Sequence, residues 1–273
     1  MDASPVGVAA DGESVWIIGT GDRGLSRISP DTGAVAMSIA LENSPRRIAT
    51  GNGAVWVVTD WNAAGDGVLR YELGTESPSP VRDDILFPGD IAAGHGSVWV
   101  VGTTGPASET LLRVDPSTEA IAASFSGDSL GNGNNPGALW LAIDEDGVWA
   151  ASQFGRVAHI DPATNSVIAS YDVSASLDDI AAGEGAVWAM DALEDAVFQI
   201  DPAERQVTGT VRVGRGPTAI AAGAGAVWVT SGRDGTLTRI DPVTFDLEIL
   251  HLGGAATSVA VGLGSVWVTV DVR

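Results

Sequence analysis

The 273-residue chain contains no cysteine and no lysine. Without thiols it has no disulfide, no thiolate nucleophile and no thiolate metal site. Without lysine, Schiff-base chemistry is excluded. Three histidines leave little room for a histidine metal cluster. Positive charge is scarce: 14 arginines stand against 35 Asp and Glu, for a net charge of −21. Such a surface repels phosphate backbones and anionic lipid, so neither nucleic acid nor a membrane surface is an expected partner. It suits solubility, cationic ligands or divalent metals. No segment approaches the roughly 20 apolar residues of a membrane span, so membrane insertion by this segment is not expected. The opening "MDASPVGVAA" lacks the basic start and apolar core of a signal peptide. The expectation is a soluble body: cytoplasmic if the chain is complete, extracytoplasmic if it is a domain of a longer bacterial protein, which is the reading favoured.

What the sequence does have is repetition. A tryptophan in a Val-Trp pair, or at its position, recurs at Trp16, Trp56, Trp99, Trp149, Trp188, Trp228 and Trp267. The spacings are 40, 43, 50, 39, 40 and 39 residues. A tight Gly-rich turn precedes each one, as in "GNGA", "GEGA" and "GAGA". A short apolar segment, usually opened by Pro, comes before that turn: "PVGVAA", "PRRIAT", "PGDIAA", "PTAIAA". After the Trp strand and a polar loop follow "LSRISPDTG", "LLRVDPSTE", "VAHIDPATN", "VFQIDPAER" and "LTRIDPVTF", and a last strand closes the unit. Alternation and β-branched enrichment predict four short strands, A to D, per unit, and nothing shows helical spacing. Four strands in about 40 residues is the blade of a β-propeller. One blade cannot bury both its faces, whereas a ring of blades can, with the strand-B tryptophans filling the contacts between them.

The predicted fold is therefore an all-β, single-domain β-propeller over 1–273, most simply seven-bladed with an incomplete last blade. Repeats run 4–43, 44–87, 88–135, 136–176, 177–216, 217–254 and a partial 255–273. The last, "ATSVAVGLGSVWVTVDVR", has strands A and B only. Its strand B should present an apolar edge that is open, covered by the C-terminal residues, or paired with another copy of the chain.

The pattern P-x-x-[IV]-A-x-G-x-G-[AS]-V-W-V…[IV]-D-P-x-T resembles the YVTN-type propellers and the virginiamycin B lyase-like family over nearly the whole chain. The resemblance implies a propeller and a central funnel. It includes an antibiotic lyase, which would use histidines, a glutamate and a divalent metal on the funnel face, alongside many sensor and binding modules. Here His95 falls in an A–B turn, His159 inside strand C and His251 in strand D, so the lyase residues have no counterparts.

B–C loops and D–A crossings share one end of the ring and vary in length, which is where binding is expected. The longest are "TDWNAAGDG" (59–67), "GTTGPASET" (102–110) and "SGDSLGNGNNP" (126–136). Two sets of equivalent positions should face the funnel. Where strand A enters stand Gly7, Arg47, Asp90, Trp140, Asp179, Ala219 and Ser258, with Arg46, Asp178 and Thr218 beside them. Three residues past each Trp stand Gly19, Thr59, Gly102, Ser152, Asp191, Ser231 and Val270, with Asp60, Trp61 and Gln153 close by. Positions of purely structural importance should carry similar residues in every blade, and these do not. The candidate ligand-binding set is Arg46 and Arg47 as a cationic pole, Trp61 and Trp140 as stacking surface, Asp90, Asp179 and Asp191 as an anionic pole, and Gln153. No cofactor is expected, although Asp90, Asp179 and Asp191 could offer Mg or Ca a carboxylate site.

Other signals have ordinary explanations. Asp115, Asp161, Asp201 and Asp241 each precede Pro, as turn-initiating residues do. "GDSLG" at 127–131 matches a nucleophile elbow, but such an elbow needs a strand-to-helix turn and a histidine partner. No catalytic residue is assigned. The sequence favours a non-catalytic module that binds a small molecule or a protein at the B–C/D–A face. The alternative is a metal-assisted lyase or hydrolase acting on a small cyclic compound in the funnel.

Overall fold

A computed structural model describes residues 4–60, 67–72, 75, 77–81, 84–104, 109–133, 139–173 and 176–272. Among them there are strands and turns, no helix, and hence no helix long and apolar enough to cross a membrane. The strands form six four-stranded antiparallel sheets and one two-stranded sheet. Blade one comprises β1 (Pro5–Ala10), β2 (Val15–Gly19), β3 (Gly24–Ile28) and β4 (Val35–Ala40). Blade two comprises β5 (Pro45–Gly51), β6 (Ala54–Thr59), β7 (Val68–Glu72) and β8 (Ser79–Pro80). Blade three comprises β9 (Ile91–Gly94), β10 (Ser97–Val101), β11 (Glu109–Val114) and β12 (Ile121–Ser126). In blade four are β13 (Leu139–Ile143), β14 (Val148–Ser152), β15 (Arg156–Asp161) and β16 (Ser166–Asp172). In blade five are β17 (Asp179–Gly183), β18 (Ala186–Asp191), β19 (Ala196–Asp201) and β20 (Gln206–Arg212). In blade six are β21 (Pro217–Gly223), β22 (Ala226–Ser231), β23 (Thr236–Ile240) and β24 (Leu247–His251). The hairpin is β25 (Ala255–Gly262) and β26 (Ser265–Asp271).

The expectation of seven blades is corrected: six form. The last repeat supplies only a hairpin, which packs between β21 of blade six and β1 of blade one. No strand among the described residues pairs with the outer edge of β26, so a seventh four-stranded sheet is not built.

Local chemistry explains the recurring hairpins. Gly51 pairs with Ala54, leaving Asn52 (φ 54) and Gly53 (φ 76) as a two-residue loop with both φ positive. That is the type I′ geometry whose twist matches the flanking strands. The same loop closes at Glu184–Gly185 and Ala224–Gly225. Blades one and four instead place an aspartate at the turn. Asp11 accepts from the Glu13 and Ser14 amides, and Asp144 from those of Asp146 and Gly147. In these two blades the carboxylate also accepts the tryptophan Nε1–H, at 2.8 Å for Trp16 and 3.1 Å for Trp149. Elsewhere the glycine carbonyl five residues back takes that role, as Gly51 does for Trp56 and Gly183 for Trp188. Six of the seven strand-B indoles thus keep their polar atom satisfied, and buried Trp99 Nε1 is the exception. At the C–D turns, Asp115, Asp201 and Asp241 each accept from the backbone amides two and three residues on, and Asp161 from the Ala163 amide and the Thr164 hydroxyl. The Ser117 hydroxyl, followed by these amides, holds the Asp115 carboxyl down at about 2, and the bonds named lower those of Asp161 and Asp241.

Each strand-B tryptophan faces the next blade. Trp16 packs with Val55, Val57 and Leu69, Trp56 with Val98 and Val100, and Trp188 with Ile220 and Val227. Trp228 packs with Val266 and Val268 of the hairpin, and Trp267 packs with Val15 and Ile17 of blade one, which closes the ring. In four blades the strand-C residue opposite the tryptophan is an arginine that caps its ring. Arg27, Arg70, Arg113 and Arg239 place their guanidinium groups 5.3–6.0 Å from the ring centroids. The core is therefore a set of interfaces between blades, and the ring axis is left to shorter and more polar side chains.

Candidate binding cleft and central channel

Strand pairing establishes which positions are equivalent. Arg47 lies opposite Val58, Trp140 opposite Ala151, Asp179 opposite Met190, Ala219 opposite Thr230 and Ser258 opposite Thr269, in each case two residues past the blade's tryptophan. All of these strand-A positions but Trp140 converge on the axis, and in blade four Leu141 takes that place. Gly7, Arg47, Asp90, Asp179, Ala219 and Ser258 line one central channel of about 190 Å³, together with Arg46, Thr218 and Thr257. Beside it, a cleft of about 830 Å³ is lined by Arg46, Arg47, Asp60, Phe87, Pro88, Gly89, Asp90, Leu139 and Trp140. The cleft and the channel share Arg46, Arg47 and Asp90. All these residues sit where strand A begins or strand B ends, the B–C/D–A end of the ring.

The two channel carboxylates tie blades together. Asp90 accepts from the Leu141 amide of blade four at 2.8 Å. Asp179 accepts from the Ile220 amide of blade six at 3.0 Å and from its neighbour Ile180 at 2.9 Å. The Thr218 hydroxyl continues the pattern, 3.0 Å from the Ala256 carbonyl of the hairpin. The Arg47 guanidinium lies 3.5 Å from Asp90. Burial raises the Asp90 carboxyl above its ordinary range, against the pull of Arg47 and two amides. Burial, then the charge of Asp90, pushes Asp179 up to about 7, with Arg47 and the Ile220 and Ile180 amides opposing. Asp179 is half-buried, but the solvent it meets is a narrow polar channel, which hydrates a carboxylate less well than bulk water.

The cleft has a different character. Trp140 is half-buried and rests on the cluster between blades four and five around Trp149 and Ile180, leaving part of its surface to the cleft. Phe87 is 55% exposed. Its backbone has φ 52, a left-handed conformation that costs a bulky residue on the order of 1 kcal/mol. The cause is local. Leu86 is pinned to Thr103 by two backbone hydrogen bonds of 2.6 and 3.1 Å, and the Gly89 amide donates to Val101, so the two residues between them must turn sharply. The equivalent position before the strand-A proline also has positive φ at Ser4 and Gly216, so an aromatic residue here is unusual for the chain itself. Arg46 pairs with Asp60 at 3.3 Å in an exposed position, where such a pair contributes little.

The remaining candidates are placed differently. Asp191 is 2% exposed and accepts from the Leu193 and Glu194 amides, capping its own turn. Thr59, Ser152 and Ser231 of the same set are also buried, and the Ser231 hydroxyl bonds the Gly214 carbonyl. The end of strand B is covered by the D–A crossing, so this second set turns toward the crossings and not into the funnel. Gln153 lies in the β14–β15 turn and does not line the cleft or the channel. Trp61 lies outside the described residues, as do parts of all three long loops. Asp90, Asp179 and Asp191 do not form one donor set: among the described residues no group of three or more His, Cys, Asp or Glu is arranged to hold a metal. Ser129 donates to the Ser126 carbonyl in a turn with no helix after it. Sequence comparison missed Phe87. Its signal was one position ahead of the strand-A proline, where Ser4, Ser44 and Gly216 are small.

No protein-family model matches the chain, and no curated protein sequence matches it. Solved structures do. Virginiamycin B lyase from Staphylococcus aureus superposes with a TM-score of 0.75 at 18% identity, covering 99% of this chain and 93% of that one. A streptogramin B lyase gives 0.75 at 16%, covering 99% and 92%. The chain shares the β-propeller fold of these proteins. BamB from Moraxella catarrhalis gives 0.63 at 16%, covering 98% and 80%, so the same architecture extends beyond lyases.

Proposed function

We propose that this propeller is a non-catalytic ligand-binding module, taking a small planar molecule with an anionic group in the cleft between Phe87 and Trp140. The observation that carries this reading is the composition of that cleft. Two aromatic side chains, one held at a strained backbone, share it with Arg46 and Arg47 in a chain whose net charge is −21. Aromatic walls supply stacking surface for a flat ring, and guanidinium groups bind a carboxylate or phosphate in a fork. Arg47 lies 3.5 Å from the largely buried Asp90 yet keeps nearly half of its side chain exposed, so its guanidinium remains accessible to an anionic group.

The likeness to virginiamycin B lyase raises the second reading, a lyase acting on a cyclic compound. The placement of the histidines favours binding over that chemistry. His95 bonds the Asp144 carbonyl of the next blade at 2.8 Å, His159 stacks on Trp149, and His251 is exposed on β24. None lines the cleft or the channel. The test is a thermal-shift and calorimetric screen of planar aromatic carboxylates and phosphates against the protein and its Trp140→Ala and Arg47→Met variants. Saturable binding weakened by both substitutions supports the reading. Binding unaffected by either, or turnover of a bound compound, overturns it.

A further inference from the structure

The hairpin β25–β26 leaves a notch in the wall of the ring, and the chain itself shows what such a notch is shaped to hold. In all six blades strand B is flanked on its outer side by strands C and D, whereas β26 pairs with β25 alone among the described residues. The neighbouring side chains register the difference. The strand-B tryptophans at positions 16, 56, 99, 149 and 188 are fully buried, but Trp228 and Trp267, on either side of the hairpin, are only half-buried. On strand D, Phe125, Tyr171 and Val211 occupy equivalent positions and are 4–6% exposed, each covered by the next blade. Their counterpart Leu250, opposite Leu237 on the face turned to the hairpin, is 42% exposed.

We infer that the outer edge of β26 is a docking site for a two-stranded β segment of a polypeptide carrying the chain's own C–D pattern. That pattern is an apolar residue, any residue, Arg, Ile or Val, then Asp-Pro and a turn into a second strand, as in Leu237–Thr238–Arg239–Ile240–Asp241–Pro242. Main-chain hydrogen bonds to β26 supply affinity in this mode, and alternate side chains supply specificity. The geometry of the other blades assigns the contacts. The arginine faces Trp267 as Arg239 faces Trp228, and the second strand covers Leu250 as the next blade covers Val211. An edge this apolar is rarely left uncovered in a soluble protein.

The test uses the full chain and a synthetic peptide with the sequence of residues 236–251. Hydrogen exchange is followed at the β26 amides, with a second peptide N-methylated at alternate strand residues as control. Saturable binding at a concentration ten times the dissociation constant should slow exchange in β26 about tenfold, with no slowing by the methylated peptide. Unchanged exchange at saturating peptide, equal action of the two peptides, or protection mapping away from β26 overturns the inference. So does concentration-dependent dimerisation that protects β26 without peptide, since the edge then belongs to a second copy.

Discussion

His159 lies face to face on Trp149, ring centroids 3.7 Å apart and planes within 15°, on the strand-C position where four other blades set an arginine over the tryptophan. It therefore does the packing work of those arginines. His159→Arg should fold with stability within about 1 kcal/mol of the parent, whereas His159→Ala should lose about 1–2 kcal/mol of stacking. Neither should alter ligand affinity, and a His95, His159 and His251 triple alanine variant that folds should bind as the parent does. Chemical denaturation and calorimetry check this, and loss of ligand binding or of an activity in the triple variant would return the histidines to a functional role.

Trp140→Ala should weaken ligand binding by about 1–3 kcal/mol, the scale for removing a stacking surface. Unchanged affinity would move the ligand out of the cleft.

Phe87→Gly separates binding from stability. Glycine relieves the strain at φ 52 and adds chain entropy to the unfolded state, so stability should stay within about 1 kcal/mol of the parent. Ligand affinity should nevertheless fall, because an aromatic wall is gone. A Phe87→Gly protein that binds normally would assign the strain to folding alone.

Asp179 predicts an unusual pH dependence. Its carboxyl is raised from the ordinary 3.8 to about 7, so the folded state binds the proton more tightly than the unfolded chain. The stability this contributes is fully present below about pH 4 and is lost as pH rises through about 7. Asp161 and Asp241 are lowered, so their contribution disappears only in the acid range below about pH 4 and does not overlap. Melting temperatures from pH 5 to 8 should decline in the parent and decline less in Asp179→Asn. Equal slopes would show that Asp179 titrates normally.

Tryptophan burial should grade the blade interfaces. Trp188 is fully buried, and Trp188→Ala should cost about 3–5 kcal/mol. Trp267, half-buried at the edge of the hairpin, should cost clearly less on the same change. Equal losses in urea denaturation would mean that the notch is already filled in solution.

The architecture was legible in the sequence because each blade is specified locally. Glycines at positions of positive φ, turn-starting aspartates and alternating apolar residues act within a few residues of one another, and the repeat of Val-Trp reports their period. The channel positions Arg47, Asp90 and Asp179 could also be located from that period, since equivalent residues of repeated strands point to equivalent places, whereas Trp140 departs from it and faces the cleft. Three things depended on contacts between distant segments. The end of strand B is covered by the D–A crossing, which is why Asp191 is buried in its own turn and does not meet Asp90. Phe87 reaches the cleft because Leu86 and Gly89 are pinned to β10, a constraint that no local pattern records. Six blades form instead of seven because a blade exists only when strands pair: the last repeat carries its tryptophan and its turn, yet β26 has no partner on its outer edge among the described residues, and pairing is a property of the assembled ring.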